Sequence, residues 1–250
     1  MMFHIKGKAI SYKSYSNKTL QNIPTIVFLG GFMSNKNSTK ATFLFNFCQK
    51  NDISFVCFDY RGHGESSGTM LEGTISGWLE DSLDVIDNLT TGEIILVGSS
   101  MGGWLSLLAT IARPERVRAI IGIASSPDFT ENLIWKKLTS AQQKELMEKN
   151  MVEIIGGDKE EYRYIFTKDL IIDGRKNCIM NGKIPINKPV ILLHGYQDKT
   201  VPFDISLKIA ELLESEGVKL LLSKNSNHRM SSEHDLKMLE FAIQTVLFPL

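Results

Sequence analysis

Ile94-Ile95-Leu96-Val97-Gly98-Ser99-Ser100-Met101-Gly102-Gly103-Trp104-Leu105-Ser106-Leu107-Leu108-Ala109 sets a G-x-S-x-G pentapeptide between two apolar stretches of different character. The run before Gly98 is short and rich in β-branched residues, as a buried strand is, and the run after Gly102 is long enough for a helix. Ile94 to Ala112 carries no charge and is about long enough to cross a bilayer. Gly98, Gly102 and Gly103 in its middle read instead as a strand, a sharp turn and a helix. Glycines two residues either side of Ser100 let strand and helix approach closely, and a serine at the apex sits in a strained backbone with its hydroxyl above the sheet. The helix that follows would aim its N-terminal dipole at negative charge developing there. Only Ser100 occupies the centre of the pattern, so Ser99 is its structural neighbour.

Similar short apolar runs recur on both sides of this unit: Thr25 to Leu29, Ile53 to Phe58, Val117 to Ile123, Val190 to Leu193 and Lys219 to Leu222. They lack polar alternation, which suits parallel strands covered on both faces. Helix-length segments separate them, such as Phe203 to Glu216 with Gly217 as its C-cap. The expected architecture is an α/β, mostly parallel, doubly wound sheet of about seven or eight strands, forming one domain over residues 1–250. Residues 3 to 15 suggest a short hairpin. The rhythm breaks between about 129 and 187, which is expected to be a helical lid inserted over the C-terminal edge of the sheet. Thr139 and Gln142 can form a capping box for one helix there, and a second, aromatic-rich piece holds Tyr162, Tyr164 and Phe166.

The 250 residues carry 28 basic and 28 acidic side chains, a net charge of zero, which offers no electrostatic footprint for nucleic acid or for a polybasic membrane anchor. Three cysteines without metal-ligand spacing fit a reducing compartment. Met1 to Gly7 has no apolar core of a signal peptide, and no arginine precedes Arg61, so a cytoplasmic location is expected.

A serine nucleophile needs a base, and the order Ser, acid, His is usual for this arrangement. Of five histidines, His228 lies on a loop between the last strand and a final helix, at the catalytic edge. His234 falls within that helix, His63 and His194 suit structural bonds to loop backbone, and His4 has no evident partner. Asp198, just past the preceding strand, is the favoured acid; Asp128, after an earlier strand, competes for the same role. Asp59 suits a loop tie. Backbone N–H groups of Phe32, after the first core strand, and of Met101 would form the oxyanion hole, with Gly30 and Gly31 permitting close approach. No metal or organic cofactor is required by this chemistry.

The block Ile95 to Leu105, the stretch Ile111-Ala112-Arg113-Pro114-Glu115-Arg116-Val117 and the terminal His228-Arg229-Met230 resemble the α/β-hydrolase family, and within it the palmitoyl-protein thioesterases that also act as acyl-glucuronide esterases. The likeness runs from about Thr25 onward and is weakest in the lid. It implies an ester or thioester hydrolase with Ser100, Asp198 and His228 as its triad and a small-molecule or acyl-protein substrate. The excess of lysine over arginine would suit a bacterial relative. Phe129, Leu133, Trp135 and Met147 offer an apolar lining for an acyl pocket, although a lid must also pack a small core of its own. Amide hydrolysis, perhydrolysis or a binding module without turnover are the other uses this fold allows.

Overall fold

The computed structural model describes residues 1–19, 23–155 and 163–248. Its centre is an eight-stranded sheet in the order β1-β2-β4-β3-β5-β6-β9-β10, built from β1 (Met2–Ile5), β2 (Lys8–Tyr15), β3 (Thr25–Leu29), β4 (Phe55–Phe58), β5 (Ile94–Ser99), β6 (Val117–Ile123), β9 (Val190–Gly195) and β10 (Val218–Ser223). β3, β4, β5, β6, β9 and β10 pair in parallel, and the hairpin β1–β2 is added antiparallel to β4. The order reverses across β3, β4 and β5, so crossover helices fall on both faces.

Alternation along β5 shows why the sheet needs two layers of helix. Ile94 and Leu96 join a core with Trp78, Val85 and Ile86 of α2 (Ile75–Leu89) and Trp104, Leu105 and Leu108 of α3 (Met101–Ala112). Ile95 and Val97 face the other way, onto Leu44 and Phe47 of α1 (Thr39–Lys50) and Leu239 and Ile243 of α7 (Glu233–Leu247). Each such aliphatic side chain, wholly removed from water, contributes about 1.5–3 kcal/mol, so neither layer is dispensable. The charge-free stretch from Ile94 is β5, a turn and α3, and among the described residues no helix is long and apolar enough to cross a membrane.

Three expectations need correction. The segment between β6 and β9 is not wholly helical. After a π-helical turn at Thr130–Ile134 and a 3-10 turn at Trp135–Lys137, the expected Thr139–Gln142 capping box starts α4 (Ser140–Lys149). An antiparallel pair then follows, β7 (Met151–Ile155) and β8 (Arg163–Thr167), before α5 (Lys168–Lys176). Tyr162 lies outside the described residues. Buried and exposed positions alternate in β7 and β8, because only one face of this pair packs on the body. β10 is likewise not covered on both faces: it is an edge strand with Lys219 and Leu222 exposed. Finally, helix α6 (Asp204–Leu212) ends well before Gly217. Leu213 turns extended, and the Ile184 N–H donates to Leu212 O while the Glu214 N–H donates to Ile184 O, at 2.8 and 3.1 Å. A backbone bridge thus competes successfully with the last helical turn.

Candidate active site

Ser100 joins β5 to α3 with φ 55° and ψ −118°, a conformation L-residues rarely adopt. Its surroundings show why glycines flank it. A Cβ on Gly98 would fall 2.2 Å from the Gly102 carbonyl oxygen, and one on Gly102 would fall 2.0 Å from that of Leu29. The elbow is fixed from both sides: the Ser100 N–H donates to Ile123 O at 2.9 Å, and Ser100 O accepts from the Ser126 N–H at 3.1 Å. The Ser100 hydroxyl therefore has a fixed direction.

That direction leads to His228, whose Nε2 stands 3.1 Å from Ser100 Oγ, while its Nδ1 stands 2.8 Å from Asp198 Oδ2. These side chains come from the C-terminal ends of β5, β9 and β10, which the parallel register places side by side although 128 residues separate Ser100 from His228. The His228 loop is tied down at its far end. Ser226 bonds Ser223 and Asp235, Asp235 and Ser232 form the capping box of α7, and Lys40 Nζ donates to the Arg229 carbonyl.

Asp198 is buried, and burial alone would push its carboxyl up. Hydrogen bonds from His194 and His228, with the Val201 N–H, outweigh this and hold it well below the usual carboxylate range. Oδ1 accepts the Thr200 and Val201 N–H groups at 2.9 and 2.8 Å, which pins the carboxylate plane. Oδ2 accepts a second imidazole: His194 Nε2 lies 3.1 Å away, and also 3.0 Å from Val201 O, with Nδ1 2.7 Å from Ser206 Oγ. Facing two acceptors, Nε2 of His194 must carry hydrogen, and in the neutral imidazole Nδ1 then accepts from the Ser206 hydroxyl. Sequence reasoning gave His194 a structural role bonded to loop backbone and missed its contact with the carboxylate; the four-residue interval to Asp198 was the available signal.

Asp128, the competing acid, is committed elsewhere: its two oxygens accept the Ile179 and Met180 N–H groups, both at 2.9 Å. Burial raises its carboxyl above the ordinary value against these bonds. Asp59 ties its loop as expected, accepting from the Lys36 and Glu65 N–H groups and from Lys36 Nζ. His4 and His234 are exposed.

The loop after β3 passes so close to Ser100 that a Cβ on Gly31 would stand 3.4 Å from Ser100 Cβ. Among the described residues, neither the Phe32 nor the Met101 N–H donates to another group. The Phe32 ring enters an aromatic cluster, 5.8 Å from Trp78, 6.0 Å from Phe129 and 5.9 Å from Phe166, with Trp104 beyond Phe129 and Tyr164 beyond Phe166. Of the four expected pocket residues, Phe129 is thus beside the loop that follows β3. Leu133 and Trp135 pack against the core on that face, and the Arg175 guanidinium lies over the Trp135 ring. Met147 does not fit the expectation: it is exposed on α4, outside this cluster, because the helix turns that side to solvent. Phe166 of β8 takes the place beside Phe32 instead. Two surface clefts of about 360 and 370 Å³, one lined by Thr25, Ser54 and Glu93 and the other by Pro189, Glu214 and Gly217, lie at the opposite ends of the strands and contain none of these groups.

A doubly wound sheet carrying a strained serine at the end of its central strand, in line with a histidine and a carboxylate, defines a class. The chain belongs to the α/β hydrolase fold family, whose model matches residues 24–151. It is 37% identical over 238 residues to the mitochondrial palmitoyl-protein thioesterase ABHD10 of Homo sapiens, a match covering 95% of this chain and 76% of the human protein. Among solved structures it is similar to the mouse alpha/beta hydrolase domain-containing protein 10, at 35% identity and TM-score 0.89 over 98% of this chain and 97% of that one. It is also similar to a putative hydrolase from Agrobacterium vitis S4, at 33% identity and TM-score 0.92 over 99% and 97% of the two chains.

Proposed function

We propose that the protein is a serine esterase or thioesterase that works through an acyl-enzyme, with a small-molecule or acyl-protein ester as substrate. The observation that carries this reading is the continuous line from Ser100 Oγ through His228 to Asp198 Oδ2, at 3.1 and 2.8 Å. His228 Nε2 removes the Ser100 proton as Oγ attacks the acyl carbon; Asp198 keeps Nδ1 protonated, and so leaves Nε2 free to accept. The negative charge passes to the former carbonyl oxygen, which the Phe32 and Met101 N–H groups stabilise. The imidazolium gives its proton to the leaving alkoxide or thiolate, and water, deprotonated by the same histidine, then frees the acid and restores Ser100.

The similarity to palmitoyl-protein thioesterases and the aromatic cluster around Phe32 together favour an apolar acyl group. In this reading the described residues between 129 and 187 act as the lid of a single domain, with Phe129 and Phe166 at the acyl side. Cys48, Cys57 and Cys178 are free thiols, and burial pushes Cys57 up to about 12 and Cys178 up to about 11. Three unpaired thiols suit the cytoplasmic location expected from the sequence, whereas the palmitoyl-protein thioesterase relatives are named as mitochondrial. A fluorophosphonate probe tests the reading: it should modify Ser100 and fail to modify Ser100→Ala. Folded wild-type protein that forms no adduct would make this a binding module without turnover.

A further inference from the structure

His63 stands outside the line of Ser100, His228 and Asp198, yet it reaches the same reacting centre through the backbone. It follows β4 in Tyr60-Arg61-Gly62-His63 and is 2% exposed, with its ring edge-on to those of Phe32, Tyr60 and Trp78 at 6.4, 5.4 and 5.3 Å. Its Nε2 lies 3.2 Å from the Met33 backbone nitrogen, and its Nδ1 lies 3.3 Å from the Arg61 carbonyl oxygen. A carbonyl can only accept and a backbone N–H can only donate. Nδ1 therefore carries the proton and Nε2 the lone pair, a neutral imidazole in one fixed tautomer. Burial lowers the titration of this histidine from its ordinary value, with the Arg61 carbonyl and the charges of Asp59 and Asp81 opposing, which keeps the lone pair available.

The bond falls at a strained point. Met33 has φ 58°, in the left-handed region, and its side chain is 53% exposed, so side-chain burial does little to enforce that conformation. The turn is closed on one side by the Ser34 N–H donating to Gly31 O at 3.1 Å. The Met33 N–H donating to His63 closes it on the other. Phe32, between them, carries the N–H assigned above to the oxyanion.

We propose that His63 is a positioning residue: as a neutral acceptor for the Met33 N–H, it locks the turn one residue past Phe32 and so aims the Phe32 N–H at the oxyanion. This rests on the reading of Phe32 as an oxyanion donor. The role differs from packing in requiring an acceptor at one place, and protonation of His63 would present a second donor to the Met33 N–H and release the turn.

Two variants of similar polarity separate these requirements. In His63→Gln the side-chain oxygen can reach the position of Nε2; in His63→Asn it stops near that of Nδ1. The Asn variant should lose about 10- to 100-fold in kcat on p-nitrophenyl esters with KM within about twofold, the range expected when a reacting group is displaced by about an ångström. Its affinity for a trifluoromethyl ketone, which adds to the serine and places an oxyanion in the hole, should fall by the same factor. The Gln variant should stay within about threefold of wild type in both. Equal losses in both variants, or a folded Asn variant with unchanged kcat and ketone affinity, overturn the proposal. Nitrogen-15-labelled wild-type protein provides a reading that needs no variant: a scalar coupling between Met33 N and His63 Nε2 supports the bond, and its absence refutes it. Failure of wild-type Ser100 to react with fluorophosphonate would defeat the hydrolase reading itself, whereas a reactive enzyme indifferent to His63→Asn defeats only the role of His63.

Discussion

Replacing Asp198 by Asn keeps the volume of the side chain and exchanges one carboxylate oxygen for an amide donor. The two halves of the carboxylate have different partners, which dictates how the amide settles. Oδ1 receives the Thr200 and Val201 N–H groups, so the amide oxygen stays there and the NH₂ group replaces Oδ2. It then faces two N–H donors, His228 Nδ1 and His194 Nε2. His228 is the partner able to adapt, by moving its proton to Nε2, and Nδ1 then accepts from the amide. With hydrogen on Nε2, 3.1 Å from Ser100 Oγ, the imidazole can no longer take the serine's proton. The loss should be about 10⁴-fold in kcat near neutral pH, or about 5 kcal/mol, with KM little changed because no substrate contact is removed. Steady-state hydrolysis of p-nitrophenyl butyrate measures it directly, with Asp128→Asn as the matched control, since Asp128 binds the Ile179 and Met180 amides rather than His228. An Asp198→Asn enzyme within tenfold of wild type, or a larger loss in Asp128→Asn, would refute the assignment of the acid.

The same carboxylate makes a prediction about stability. Its folded-state titration lies below the ordinary value near pH 3.9, so its contribution is fully present above about pH 4 and is lost as the pH falls toward the depressed folded value. Urea unfolding between pH 5 and 2.5 should show a shallower acid loss in Asp198→Asn than in wild type; parallel curves would contradict it. His194→Leu removes a buried donor to Asp198 and leaves Val201 O and the Ser206 hydroxyl short of a partner, which should cost about 1–3 kcal/mol in denaturant unfolding and lower kcat. His194→Gln, which can return an N–H to the Nε2 position, should recover most of the activity; an equally impaired Gln variant would mean that only ring packing matters. Phe166→Ala opens space beside Phe32 at about 3–5 kcal/mol of stability, and should raise kcat/KM for long-chain relative to acetyl esters. An unchanged chain-length profile would place the acyl group elsewhere.

Much of this site is legible in sequence because backbone rules act over a few residues. Gly98, Ser100 and Gly102 lie within one turn, and the strand and helix around them have their own apolar patterns, so the elbow is readable without tertiary information. Asp198 and His228 are readable because each closely follows a strand marked by a run of apolar residues, Val190 to Leu193 and Leu220 to Leu222, and parallel strands deliver their C-terminal ends to one edge. The antiparallel pair β7–β8 is hidden for a physical reason: Met151–Ile155 and Arg163–Thr167 cover one face only, so they lack the continuous apolar run that marks the central strands. Phe166 is hidden with it, since no local rule states which ring a strand of the insertion will place on Phe32. The second imidazole on Asp198 depends on a side-chain choice among Oδ2, Val201 O and Ser206, which sequence spacing permits without deciding.

The backbone of Ser100 has a consequence for the whole molecule. Holding a non-glycine residue at φ 55° and ψ −118° costs about 1–3 kcal/mol, which the rest of the fold must offset. Ser100→Gly and Ser100→Ala both remove the hydroxyl, yet only the alanine keeps the Cβ that opposes this geometry. The glycine variant should therefore melt above the alanine variant, reversing the usual order of these two residues. Catalytic competence and conformational ease pull in opposite directions at this position. A descendant released from selection for turnover would gain stability by drifting to glycine there, so loss of activity in such a lineage could be locked in by thermodynamics before any other part of the machinery decays.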